Sequence, residues 1–402
     1  MSDVETQKVQ TYQQLHETPA IFADIQEMIV SEPAISELNL VTKLRKRWPV
    51  ELASLAVTLH KLRQSARDKF THADQMWFDR IRMEQATSEI ISRYKATRFA
   101  KFKDSAIYDL CCGIGGDAIA LAATNSVIGV DLDPLALQMA SWNADVYNVA
   151  PRFQTECVSA DSIGAPGALI HIDPDRRSSP KSDRPTMRLE QYNPTLPTLQ
   201  AMTSRFRGGA LKLGPASNFG GKFPDAEVEL ISLHGECKEA TIWFGELKSD
   251  ADWRATILPQ GVSISGHPLS ARPGFSDIQR YVHDPDPAVV RAGLVDVLAE
   301  QLNINRLDDA EEYLTSDELV WSPFISSFEV IDIIDDHDKK LRAYFREHSC
   351  GELVIKARHI PIAAEQLRKK LKPHGEGTLV LIIARVAGKA KSILCRRVTA
   401  PM

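Results

Sequence analysis

Cysteine is sparse and unpatterned: the six thiols, at Cys111, Cys112, Cys157, Cys237, Cys350 and Cys395, include no CxxC spacing. That excludes a zinc ribbon and a dense disulfide framework, so no metal is expected and the thiols should be reduced and mostly buried. Long apolar runs are missing as well. No stretch approaches the roughly 20 residues a membrane-spanning helix needs, so no membrane partner is expected. The opening MSDVETQKVQ lacks the apolar centre of a secretory signal, which makes the cytoplasm the expected compartment. Internal repeats and low-complexity tracts are also absent. What remains is a chain of 402 residues, 44% hydrophobic and 25% charged, long enough for two or three globular domains.

The formal charge of −5 hides an asymmetry. Residues 338–402 carry 15 Lys and Arg against 5 Asp and Glu, and residues 41–103 carry 15 against 6, leaving −24 on the rest. Basic flanks around an acidic middle suit a protein whose ends face a polyanion, because Lys and Arg that displace counterions from phosphates supply most sequence-independent nucleic-acid affinity. Two solvated helical faces would produce the same counts.

Up to about residue 100 the pattern is helical, with apolar residues at three- and four-residue intervals: Ile21, Ile25 and Ile29, then Leu52, Leu55, Leu59 and Leu62, then Ile81, Ile90 and Ile91. From Ala106 short strands alternate with helices: AIYDL, a Gly-rich turn and helix, SVIGVDL, a helix from Pro134, FQTECV and ALIHID. This is the signature of βαβ units on a parallel sheet. GALKLG, VELISLH and ATIWFGEL follow, the last two too close for a crossover and so expected to pair antiparallel at the sheet edge. The expected organisation is a helical region over 1–100, a Rossmann-like sheet domain over 101–250, a turn-rich connecting region with a helix over 251–327, and a small α+β module over 328–402 closed by a hairpin near Ala387–Ala390.

The sharpest segment is Asp109-Leu-Cys-Cys-Gly113-Ile-Gly115-Gly116-Asp117, where a strand ends and a helix begins. Glycines there let a ligand approach the backbone and face the helix N-terminus. Gly113-x-Gly115-x-x-Ala118 alone also satisfies a degenerate nicotinamide pattern. Asp109 before the turn can face a cationic amino-acid group, Asp131 after the second strand can accept two ribose hydroxyls, Asp161 after the third can reach an adenine amine, and Asp173-Pro174 ends the fourth. Acids at four consecutive strand ends line one crevice. They would repel a diphosphate, and S-adenosylmethionine, a cation without phosphate, is the better electrostatic match.

EQATSEIISRYKATRF followed by DLCCGIGGDAIALA and VIGVDLDPLALQMASWNADVYNV resembles the trimethylguanosine synthase-like branch of the class I S-adenosylmethionine-dependent methyltransferases. The ending, from GELVIKARHIPIAAEQLRKKL to ILCRRV, resembles the THUMP-like module of related bacterial methyltransferase-like proteins. The resemblance implies an α/β fold: a Rossmann-like seven-stranded methyltransferase sheet with an N-terminal helical region and a C-terminal α+β THUMP-like module. It implies S-adenosylmethionine as cofactor, bound by Thr87, Asp109, Cys111, Gly113, Gly115, Gly116, Asp131, Leu132, Asp161 and Ser162. Cys111 stands where many such enzymes carry the first glycine, and with no base beside it reads as a pocket-lining residue rather than a nucleophile.

Enzymes that methylate base amines often end the fourth strand with D/N-P-P-aromatic, the acid orienting the amine and the ring stacking on the base. Here the text is Asp173-Pro174-Asp175-Arg176-Arg177. Asp173 and Pro174 keep the catalytic positions. Asp175, Arg176 and Arg177 replace the rest, where the arginines could clamp a phosphate, stack on a base or pair with local acids. Tyr192, Phe219 and Trp243 are candidate replacements for the aromatic, though each could equally be core, and His171 reads as a packed strand residue. The expectation is methyl transfer to a base amine in RNA, with Lys356, Arg358, Arg368, Lys369, Lys370, Arg396 and Arg397 as phosphate contacts. The alternatives are a non-catalytic RNA-binding or assembly protein on a retained cofactor fold, and a methyltransferase for a small molecule or protein.

Overall fold

A computed structural model describes residues 3–103, 105–165, 167–176, 186–335 and 338–399. The chain divides into two compact units, one of Met1–Asp225 with Trp243–Lys248, the other of Ala226–Ile242 with Ser249–Met402.

The first unit opens with α1 (Asp3–His16), α2 (Ala20–Ser31), α3 (Glu37–Leu44), α4 (Val50–Ser65), α5 (Arg80–Gln85) and α6 (Glu89–Phe99). Ile21, Ile25, Leu52 and Leu59 are buried as their spacing predicts, in a cluster with Trp77 and Trp142. Ile81 and Ile90 are exceptions at 51% and 39% exposure. Ile81 belongs to a helix of six residues, too short to present an apolar stripe.

The α/β part then runs β1 (Ile107–Leu110), α7 (Gly116–Ala122), β2 (Val127–Val130), α8 (Pro134–Val146), β3 (Phe153–Glu156), β4 (Leu169–Ile172), α9 (Leu196–Arg205) and β5 (Gly208–Leu213). The strands lie parallel in the order β3-β2-β1-β4-β5. The strand order reverses beside β1, which places the crevice at the carboxyl ends of β1, β2 and β4. Asp133 caps α8 by accepting from Leu135 N at 2.8 Å, with Pro134 in the first turn where its missing N–H costs nothing.

In the second unit β6 (Glu227–Leu233) and β7 (Glu236–Gly245, which belongs here as far as Ile242) are joined by His234 and Gly235, both at positive φ, as a two-residue hairpin turn demands. The pair is not at a sheet edge as expected. β8 (Trp253–Leu258) lies parallel on the other side of β6, and β9 (Val262–Gly266) turns back antiparallel on β8. The segment read as turn-rich alternates apolar and polar residues closely enough to form these two strands.

The rest comprises β10 (Tyr281–Pro285), α10 (Pro287–Arg291), α11 (Val295–Leu302), β11 (Asn305–Arg306), β12 (Leu314–Ser316), β13 (Ile325–Asp335), α12 (Asp338–Glu347), β14 (Glu352–Ala357), α13 (Ala364–Leu371), β15 (Thr378–Val386) and β16 (Lys389–Arg397). A seven-stranded sheet in the order β11-β12-β10-β13-β16-β15-β14 holds them. Its two faces carry separate cores, one around Phe328, Ile382 and Ile393, the other joining Leu341 and Phe345 of α12 to Leu381 and Leu394. Residues 281–316 thus share a sheet with the C-terminal module.

Candidate active site

The turn after β1 takes its shape from backbone conformations that ordinary side chains avoid. Gly113 (φ 55°) and Gly115 (φ 82°) are left-handed, and so is Cys111 at φ 59°. A side chain at such an angle costs about 1–3 kcal/mol and persists where its surroundings enforce it. Asp131, one residue past β2, accepts the Gly113 N–H on Oδ2 at 2.9 Å and the Asp133 N–H on Oδ1 at 3.0 Å, tying the two strand ends together. Each of its oxygens keeps a second lone pair for a ligand.

These ends frame a cavity of about 490 Å³. Of the expected cofactor residues, Thr87, Asp109, Cys111, Gly113, Gly116, Asp131, Leu132 and Asp161 line it; of the expected acceptor residues, Asp173, Pro174, Asp175 and Arg176 do. Gly115 and Ser162 do not. Gly115 sits against α8, where an added Cβ would meet that of Ala140 at 3.3 Å, and the Ser162 hydroxyl turns away to Ser159 O at 2.6 Å. Arg177 lies outside the described residues. The helical region supplies lining the sequence reading missed: Lys8, Asp79, Ile81, Arg82 and Gln85. Arg82 bridges Asp79 and Asp133, and Lys8 reaches Asp79 at 3.0 Å.

Behind the turn lies a buried chain of charges. His171 Nδ1 is 2.6 Å from Asp109 Oδ1, and His171 Nε2 is 3.3 Å from Lys95 Nζ. Lys95 pairs with Asp117 Oδ1 at 2.9 Å, and Thr87 donates to Asp117 Oδ2 at 2.6 Å. Burial pushes the Asp117 carboxyl up, but Lys95, His171, Lys212 and Thr87 outweigh it and hold the group well below the usual carboxylate range. Burial raises Asp109 despite its His171 partner. Its Oδ2 is buried without a hydrogen-bond partner among the described residues, although Asp109 lines the cavity. Such an atom is costly unless a ligand supplies the donor. The Cys111 thiol is pushed well up by burial and by the carboxylates of Asp131, Asp173 and Asp109, so it is no thiolate nucleophile.

At the β4 end of the cavity, Asp173 Oδ2 lies 2.6 Å from Lys212 Nζ, a partner the sequence did not suggest. None of the candidate aromatics offers a free face. Tyr192, Phe219 and Trp243 are 2%, 3% and 0% exposed; Tyr192 shares a hydrogen bond with Ser217 at 2.5 Å, and the Arg98 guanidinium covers Trp243 at 4.3 Å. Among the described residues, no group of three His, Cys, Asp or Glu is placed to hold a metal ion, and no helix is long and apolar enough to cross a membrane.

The basic flanks are less available than their counts imply. At least eight of the fifteen cations between residues 41 and 103 pair with neighbouring acids, among them Arg47 with Asp24 and Arg67 with Asp74. In the second unit Lys356 and Arg358 both bind Asp284, at 2.7 and 2.6 Å, and Arg368 donates to Leu353 O. These three are structural ties rather than free phosphate ligands. Lys369, Lys370, Arg396 and Arg397 remain exposed.

Parts of both units resemble known protein families. Residues 104–172 match the family described as RNA cap guanine-N2 methyltransferase, and residues 325–397 match the family described as THUMP domain-like. Uncharacterized S-adenosylmethionine-dependent methyltransferases of Mycobacterium tuberculosis, from strains H37Rv and CDC 1551, are each 30% identical over 328 residues, covering 79% of this chain and 87% of theirs. A crystal structure from Porphyromonas gingivalis W83, of a protein named only provisionally as a methyltransferase, superposes with a TM-score of 0.73 at 18% identity over 94% of this chain and 98% of that one, which shows a shared fold. The chain belongs to the S-adenosylmethionine-dependent methyltransferases, and S-adenosylmethionine is its cofactor.

Proposed function

We propose that the protein methylates an exocyclic base amine in RNA, with the cofactor bound across β1, β2 and β3 and the acceptor at the end of β4. The bare, buried Oδ2 of Asp109 suits the cofactor's ammonium, Asp131 its ribose hydroxyls, and Asp161 its adenine amine, with Thr87, Cys111, Gly113, Gly116 and Leu132 shaping the walls. Gly115 acts through the shape of the turn after β1, and Ser162 through the short turn after β3 that carries Asp161, rather than by contact. The bound cofactor supplies an electrophilic methyl on a sulfonium.

The observation that carries the reading is Asp173, followed by Pro174, on the wall of that same cavity. A carboxylate there accepts an amine hydrogen, turns the nitrogen lone pair toward the methyl and stabilises the positive charge as the C–S bond breaks and the N–C bond forms. The nitrogen then loses a proton to solvent. RNA is favoured by the THUMP domain-like match over residues 325–397 and by the exposed Arg396 and Arg397 on β16. Asp175 and Arg176 then meet the acceptor's flanks, as would Arg177, which lies outside the described residues.

The test is incubation of the protein with total RNA and isotopically labelled S-adenosylmethionine, followed by digestion to nucleosides. Label on a base amine is expected; label that stays on the free cofactor, or appears only on protein, overturns the reading.

A further inference from the structure

Lys212 belongs to none of the expected sites, yet it is bound to the residue on which the chemistry turns. β4 and β5 run parallel with Ile172 opposite Leu211, so the next pair outward sets Asp173 beside Lys212. The Lys212 ammonium lies 2.6 Å from Asp173 Oδ2 and 3.3 Å from the carbonyl of Gln85, and both Asp173 and Gln85 line the cavity. The Lys212 side chain is 12% exposed and that of Asp173 30%.

An ammonium has three N–H groups. Here one serves Asp173 and one Gln85, and the carboxylate spends one of its two oxygens. An acceptor that reaches Asp173 through Oδ1 therefore meets a hydrogen-bond acceptor and a donor side by side. The complementary ligand edge offers a donor beside an acceptor: an exocyclic amine next to a ring nitrogen with a free lone pair. Adenine (N6 beside N1), cytosine (N4 beside N3) and guanine (N2 beside N3) all present this amidine edge. A free aliphatic amine fits poorly, because its ammonium form would lie against the Lys212 charge.

We propose that Lys212 is a specificity-determining residue that donates to the ring nitrogen beside the methylated amine while fixing Asp173, so that the pair reads an amidine edge. This rests on the base-amine reading above. Lys212 sits beside the acceptor and moves no proton in the transfer.

The experiment is a cycle of enzyme against substrate. A short synthetic oligoribonucleotide carries the labelled base found in total RNA, and its twin carries the analogue in which the adjacent ring nitrogen is C–H: 1-deazaadenine, 3-deazacytosine or 3-deazaguanine. For the wild-type protein the deaza exchange is expected to lower kcat/KM by about 10- to 100-fold, the value of a hydrogen bond to a charged donor. For Lys212→Met the parent oligonucleotide falls by a similar factor, the deaza exchange costs less than about 3-fold, and cofactor affinity measured by calorimetry stays within about 3-fold. Lys212→Arg, which keeps a charged donor, retains sensitivity to the exchange and covers the case in which the methionine variant does not fold. Equal wild-type rates on both oligonucleotides, or losses that multiply independently in Lys212→Met, overturn the role of Lys212 while leaving base-amine transfer standing. Label on ribose, a ring nitrogen or protein instead overturns the base-amine reading itself.

Discussion

His171 on β4 stands directly opposite Asp109 on β1, and its Nδ1 lies 2.6 Å from the Asp109 carboxylate in a site where both side chains are 1% exposed. One oxygen of the acid is held in place and the other is left bare. A residue that reads in sequence as strand packing is indeed packed, but what it packs is an acid on the wall of the cavity, with Lys95 close to its far nitrogen.

Asp131 joins two strand ends and faces the proposed ribose site. Asp131→Ala should weaken S-adenosylmethionine binding by about 10- to 100-fold, corresponding to roughly 1.5–3 kcal/mol for a charge-assisted hydrogen bond. Titration calorimetry on a variant whose thermal transition is intact checks this, and unchanged affinity would remove Asp131 from the ribose.

Much of the sheet is legible in the sequence because a βαβ unit is local: the strand AIYDL, its glycine turn and the acid after VIGV all fall within about thirty residues. The partners that set the site's charge are not local. Asp109 and His171 are 62 residues apart, Lys95 and His171 76, and Asp173 and Lys212 39, and no periodicity links them. Composition misled at the flanks for the same reason, since Lys356 and Arg358 count as free cations until the fold brings Asp284 between them.

Cys111 occupies a left-handed position that glycine adopts without strain. Cys111→Gly should leave stability within about 1 kcal/mol of wild type, relief of strain offsetting the added freedom of the unfolded chain. Cys111→Val should lose about 1–3 kcal/mol because a β-branched side chain tolerates this φ worst. Denaturant midpoints decide it; a valine variant as stable as wild type contradicts the account.

His283, buried between Ser327 and Ser316 at 2.9 and 2.8 Å, has its imidazole pushed down to about 4 by burial. Above about pH 6.5 neither the folded nor the unfolded ring holds the extra proton, so the group is neutral to stability there. As pH falls from about 6.5 to about 4 only the unfolded chain binds it, and stability declines by on the order of 3 kcal/mol, levelling off below. Urea melts of His283→Gln against wild type at pH 7 and pH 4.5 should show the variant losing less stability on acidification; identical losses would mean His283 is solvated.

Arg396 and Arg397 are exposed at the end of β16, whereas removing residues 328–402 would split β13 and take β14, β15 and β16 out of the sheet they share with β10. Point changes are therefore the cleaner probe. Arg396→Ala with Arg397→Ala should weaken RNA binding and lower the slope of log affinity against log salt by about 1–2, with cofactor affinity unchanged. An unaltered slope places the grip elsewhere.

The central claim is tested most directly by mass spectrometry of modified nucleosides in total RNA from cells lacking the protein, complemented with wild type or with Asp173→Asn. The account predicts that one base-amine methylation disappears in the deletion and returns with wild type. With Asp173→Asn it should stay largely absent even though the purified variant still binds S-adenosylmethionine, because the lost charge stabilises the transition state rather than the cofactor. Identical nucleoside profiles in all three strains, or full restoration by Asp173→Asn, would contradict it.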